Sequence, residues 1–372
     1  MTNTVVQGLP RWSLAVPPLA LVVLVLSWGR DLGAILLILV CAGLGAAVIA
    51  AVHHAEVVAH RVGEPFGTLI LALAVTVIEV ALIVTLMASG GDKAASLARD
   101  TVFAAVMITC NGILGLSLVV GSLRHHVQDF RVRASTGVLA VMTALVTLSL
   151  VLPTFTTSAP GPQFSTAQLA FAGVASLVMY GVFVFVQTIR HRDYFLPVAD
   201  AETEGEGEDV ESEEVHAAAP SGKVALLSLG LLFVCLISVV GLAKTVSPRL
   251  ESAVESAGAP VAVVGVIIAL LVLLPETVAA VRAALRNRLQ TSVNLALGSA
   301  LASIGLTIPA IAVASIWLDG PLVLGLGGME MVLFALTVVT SILTLATGRA
   351  TLLQGAVHLM VFSAFLFLAV SP

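Results

Sequence analysis

Charge is scarce in this chain. Lysine and arginine number 17 and aspartate and glutamate 22 among 372 residues, so charged side chains make up 10% of the sequence, where a soluble domain carries roughly 25%. A soluble globule is excluded, because so few polar groups cannot cover its surface. The formal net charge of -5 comes from one local acidic run and no basic face accompanies it, which rejects nucleic acid as a partner. Cysteine is confined to Cys41, Cys110 and Cys235, each inside an apolar stretch. Neither a disulfide framework nor a CxxC metal site can be read from them. Catalytic signatures are missing too. There is no HExxH, no GxSxG and no pair of aspartates within apolar segments, so an intramembrane enzyme is not expected.

What is present is hydrophobic residue, 59% of the chain. Apolar runs bounded by charge or by Gly and Pro predict spans near 13–29, 32–52, 66–89, 101–122, 135–153, 166–188, 223–245, 259–283, 291–317, 321–346 and 350–370. About 20 such residues cross the roughly 30 Å hydrocarbon layer. With no water there to satisfy the backbone, they must be helical. The fold class is therefore an all-α polytopic membrane protein of about 11 transmembrane helices. The first apolar stretch, Leu14 to Trp28, has the length of a signal peptide. No small-residue cleavage site follows and a second run begins at once, so it is read as a helix.

Placing the N-terminus in the cytoplasm leaves Arg30, Lys93, Arg99, Lys244 and Arg249 outside and every other lysine and arginine inside. That asymmetry predicts N-in and C-out. The connection 196–222 carries Asp200, Glu202, Glu204, Glu206, Glu208, Asp209, Glu211, Glu213 and Glu214 before any basic residue, and such a self-repelling block is expected to be a disordered cytoplasmic tether. It divides the chain into a first half of six spans, within 1–195, and a second half of five, within 223–372.

The two units echo each other. Gly67-Thr-Leu-Ile-Leu-Ala-Leu-Ala-Val-Thr-Val-Ile-Glu79 is similar to Gly265-Val-Ile-Ile-Ala-Leu-Leu-Val-Leu-Leu-Pro-Glu276, and Gly-x-Pro precedes each, at Gly63 and Gly258. Leu114-Gly-Leu-Ser117 likewise matches Ile304-Gly-Leu-Thr307. The third span runs outward and the eighth inward, so the copies are antiparallel. Inverted repeats of this kind build a midplane site for alternating access.

Glu79 and Glu276 are the acidic residues at matching depth. A carboxylate in the bilayer costs several kcal/mol and is kept when paired, hydrated or functional. A protonated glutamate bonded to a neighbouring helix is the bland alternative. Thr76 shares the face of Glu79 one turn back. Pro275 withholds a backbone donor just before Glu276 and is expected to free a carbonyl near Leu271. Asn111, Asn294, Ser299 and Ser303 supply further oxygens from the next helices, Ser299, Ser303 and Thr307 forming one i, i+4, i+8 stripe. Hydroxyls in such helices also bond back to their own backbone. Calcium takes six to eight oxygens, carboxylates and carbonyls among them. Carboxylates that release a metal take up protons. Competition of the two for Glu79 and Glu276 is the minimum mechanism of exchange, with the cation as cargo and no resident cofactor. Glu330, behind Gly327-Gly328, is read either as a vestibule or proton-relay carboxylate or as a helix-start residue favouring the dipole. His53, Glu56 and His60 share one boundary face, where solvated interfacial residues are the more ordinary reading than a pH sensor.

The stretch Gly63-Glu-Pro-Phe-Gly-Thr-Leu-Ile-Leu-Ala-Leu-Ala-Val-Thr-Val-Ile-Glu-Val80, with Pro275-Glu276 and Asn294-Leu-Ala-Leu-Gly-Ser299, resembles the ChaA-type proton antiporters of the cation/calcium exchanger superfamily. The resemblance implies one extra N-terminal helix before two inverted five-helix repeats, with ion binding on Glu79 and Glu276. It implies exchange of calcium for protons across a bacterial cell membrane. Vacuolar relatives carry Asn three positions before each glutamate, where this chain has Thr76 and Leu273. Sodium or potassium therefore stay open as alternative cargo on the same site, as does the oligomeric state.

Overall fold

The computed structural model describes residues 9–30, 32–63, 66–90, 95–190, 194, 220–317 and 320–372. Helices dominate because each apolar run must satisfy its backbone internally. In chain order they are α1 (Arg11–Ser27), α2 (Ala34–Val62), α3 (Phe66–Gly90), α4 (Leu97–Met107), α5 (Leu114–His125), α6 (Val132–Val146), α7 (Thr166–Phe185), α8 (Gly222–Ser256), α9 (Ala262–Val272), α10 (Leu274–Leu285), α11 (Leu289–Ala314), α12 (Gly328–Leu345) and α13 (Leu352–Val370). A π-helical turn, Ile108–Ile113, joins α4 to α5 in one continuous span. Among the described residues, eight helices are long and apolar enough to cross a membrane and the bent pair α9–α10 makes a ninth. Arg11–Ser27 and Leu73–Ala88 are shorter apolar helices. Each falls on a run read from the sequence. Most of the acidic connection lies outside the described residues.

The two Gly-x-Pro sequences share a backbone feature. Gly63 and Gly258, the glycines of the two Gly-x-Pro sequences, have φ of 77° and 72° and stand just past the ends of α2 and α8. A positive φ favours glycine, so both positions suit the residue that the sequence has there. Packing is reciprocal as well: α3 of the first half lies on α11 of the second, and α9 of the second lies on α4 of the first. Close approach is permitted by small residues. A Cβ at Gly265 would stand 3.0 Å from the Thr101 backbone nitrogen, and one at Gly355 2.7 Å from that of Val119.

Connections assigned to one face meet one another. At one end Gln128 donates to Ala284 O at 3.0 Å, the Arg131 N–H donates to Gln290 Oε1 at 2.6 Å, and β1 (Gln128–Asp129) pairs antiparallel with β2 (Arg349–Ala350). At the other end Arg99 donates to Gly325 O, Thr154 to Leu326 O, and the Val323 N–H to Ala95 O. A span missed or invented between these loops would have put partners on opposite faces. Among the described residues two large apolar clusters fill most of the interior, one around α4, α5, α6, α11 and α13, the other around α1, α2, α3, α8 and α9, and a small third joins Ile83, Ala98, Ile311 and Leu324. Large apolar side chains such as Ile35, Phe171, Leu226, Trp317 and Phe367 point outward, as lipid contact requires.

Candidate cation and proton site

Glu79 is buried on α3, inside a helix with no basic residue. Its Oε1 accepts a hydrogen bond of 2.6 Å from the Ser303 hydroxyl on α11. Thr307, one turn further, lies beside the same carboxylate, and its hydroxyl has no other partner among the described residues. The first half thus supplies the acid and the second half the hydroxyls, a direct result of α3 packing on α11.

Glu276 reaches the site by a different route. α9 and α10 meet at Leu273 with a bend of 52°. Pro275, in the first turn of α10, has no N–H to give, which favours a break there. The break places Glu276 in the first turn of α10, where the exposed end of the helix dipole favours a negative charge. Its Oε2 is buried without a hydrogen-bond partner among the described residues. A carboxylate oxygen in a membrane interior is ordinarily matched by a donor, a proton or a cation.

Both glutamates line one cavity of about 170 Å³, together with Thr76, Asn294, Ser299 and Ser303. Six of the residues singled out by the sequence therefore converge, and the two carboxylates lie within electrostatic reach of each other. One water needs about 10–15 Å³, so the cavity has room for an ion with several waters. Its remaining wall comes largely from α7 and the π-helical turn that follows it, Val186–Arg190, through Tyr180, Phe183, Val184, Gln187 and Thr188. None of these was found from the sequence. The signal was an i, i+3, i+4, i+7, i+8 stripe that turns polar at its end, obscured by the adjacent Arg190. Glu56 on α2 was also undervalued: it lies within electrostatic reach of Glu276.

Asn111 does not line this cavity. Fully buried in the π-helical turn, it donates to Thr337 Oγ1 at 2.9 Å and its Oδ1 faces His358 Nδ1 at 3.2 Å. It ties the α4–α5 span to α12 and α13. Glu330 sits in the first turn of α12, beside a small separate pocket that it shares with Asp100. Of the boundary residues, His53 lies against Trp12, with ring centroids 5.0 Å apart, and the neighbouring His54 bonds Ser13 O at 2.9 Å. These contacts dock α1 on α2.

Comparison with known proteins follows the same architecture. The family model described as "Sodium/calcium exchanger protein" matches residues 32–189 and 227–371, one segment in each half. A Sinorhizobium fredii protein, y4hA, with a general designation as an ionic transporter, is 48% identical over 366 residues, 98% of this chain and 97% of that one. The Escherichia coli sodium-potassium/proton antiporter ChaA is 37% identical over 358 residues, covering 95% and 94%. A Ca2+/H+ antiporter of Aphanothece halophytica is 26% identical over 336 residues, covering 85% and 86%. Among solved structures, native YfkE superposes with a TM-score of 0.71 at 19% identity, over 97% of this chain and 99% of that one, which establishes a shared fold.

Proposed function

The chain belongs to the sodium/calcium exchanger family, and from that premise we propose that it is a secondary active antiporter exchanging a cation, calcium first, for protons by alternating access. The observation that carries the reading is the convergence of Glu79 and Glu276, one from each repeat, on one cavity edged with hydroxyl and amide oxygens. Two carboxylates balance one divalent ion or two protons, so the cavity stays neutral in either loaded state. A neutral loaded site crosses the barrier between the two access states more cheaply than a charged one. The Ser303 hydroxyl holds Glu79 in place, while Glu276 at the helix break keeps an oxygen unspent. Thr76 and Ser299 complete the oxygen set that a hard cation requires. The lysine and arginine asymmetry supports a cytoplasmic N-terminus and an external C-terminus in a bacterial cell membrane.

A second reading is exchange of sodium or potassium for protons on the same residues. It is favoured by the name of the Escherichia coli relative, a sodium-potassium/proton antiporter. Proteoliposomes carrying the purified chain and a pH-sensitive dye separate the two. Addition of calcium is expected to move protons, and movement with sodium or potassium alone would replace calcium as the cargo. Cation flux with no counter-movement of protons would make the protein a channel.

A further inference from the structure

The α7 wall of the cavity changes character along its length. Tyr180, Phe183 and Val184 face the cavity first, then Gln187 and Thr188, one stripe at helical spacing. The neighbouring Ile189 is 64% exposed, while the polar pair lines the cavity. Polarity has been placed on the cavity side. The Thr188 hydroxyl spends its proton on Val184 O, at 2.6 Å, which leaves its oxygen lone pairs as acceptors only. The Gln187 side chain adds an amide oxygen. Across the cavity stands Asn294, bonded to Gln290, whose Oε1 in turn accepts from the Arg131 N–H. That chain of contacts places this end of the cavity toward the arginine-rich face. Gly298, also lining the cavity, has open space where a Cβ would stand.

We propose that Gln187 and Thr188 form an outer station for a hard cation, which pauses there with part of its water before it passes to Glu79 and Glu276. The station rests on the antiport reading for its place in the cycle, but as a binding position it stands on the cavity alone. Neutral oxygens suit the task. They replace a few water ligands without supplying charge, so they hold the ion weakly and let it move on, as a conduction path requires. Carboxylates deeper in the cavity then complete the dehydration and the charge balance. The width kept open at Gly298 lets the ion travel with water still attached.

The test uses the full chain with Cys41, the exposed cysteine, replaced by serine; Cys110 and Cys235 are buried. A Val184→Cys reporter places a thiol on the cavity wall one turn from the pair. Its rate of reaction with N-ethylmaleimide is measured with calcium chloride, or with sodium chloride, against choline chloride at constant ionic strength. The expected result is a several-fold slowing by the cation. Adding Gln187→Leu together with Thr188→Val should remove the slowing, whereas adding Glu79→Gln and Glu276→Gln should leave it. No slowing in the parent reporter overturns the proposal. So does slowing that survives the Gln187 and Thr188 changes, or that disappears with the glutamate changes alone, because protection then belongs to the carboxylates. Slowing that behaves as expected in vesicles showing no cation-driven proton movement upholds the station and counts against the antiport reading instead.

Discussion

Ser303 and Asn111 are both polar residues within apolar helices, and their fates differ. Ser303 donates to Glu79, so Ser303→Ala removes a hydrogen bond to a charged group, worth about 1.5–3 kcal/mol. Apparent cation affinity in the exchange assay should fall about tenfold or more while maximal exchange survives. Asn111→Ala should act on stability instead. It strips partners from buried Thr337 and His358, at a cost of about 1–3 kcal/mol, and should lower the midpoint of thermal unfolding in detergent without moving cation affinity. A loss of affinity with unchanged stability would return Asn111 to the pathway. The sequence marks both residues by the same signal, an amide or hydroxyl in lipid. What separates them is rotation about the helix axis. For Ser303 the i, i+4 stripe with Ser299 fixes that rotation. For Asn111 it depends on the π-helical turn Ile108–Ile113, which no local spacing announces. Glu79 and Glu276 were legible because a carboxylate in an apolar run has so few tolerable environments.

At the scale of elements, the break between α9 and α10 is what presents Glu276. Pro275 was readable as a lost donor, while the size of the bend that accompanies it at Leu273, 52°, was not. Pro275→Ala restores the N–H and lets the two helices run on as one. The Glu276 carboxylate should then swing out of register with Glu79, and a displacement of about 1 Å can cost about 100-fold in a site that depends on geometry. Exchange should drop steeply with the protein still inserted. Unaltered exchange by the Pro275→Ala protein would mean that the bend persists without proline or has no part in the site. Helix positions were largely legible because lipid admits one backbone solution. The contribution of α7 was not, since nothing in the chain states which helix will lie against α11.

For the whole molecule, the repeat is an expectation read from two Gly-x-Pro-led segments, whose glycines, Gly63 and Gly258, both take positive φ. Which face is cytoplasmic rests on the distribution of lysine and arginine. It predicts that alkaline phosphatase fused after Pro372 is active and a green fluorescent protein fused there is dark; the opposite pattern would invert the assignment. The central claim is that one carboxylate from each repeat makes a single site shared by cation and protons, and the most direct test is cation-driven proton flux in proteoliposomes bearing Glu79→Gln, Glu276→Gln or both. Glutamine keeps the shape and an oxygen but neither the charge nor the exchangeable proton. Each single change should abolish the flux with insertion intact, and the double change should lose nothing more, because residues acting as one unit are not additive. Near-parental flux from either single variant would contradict the shared site.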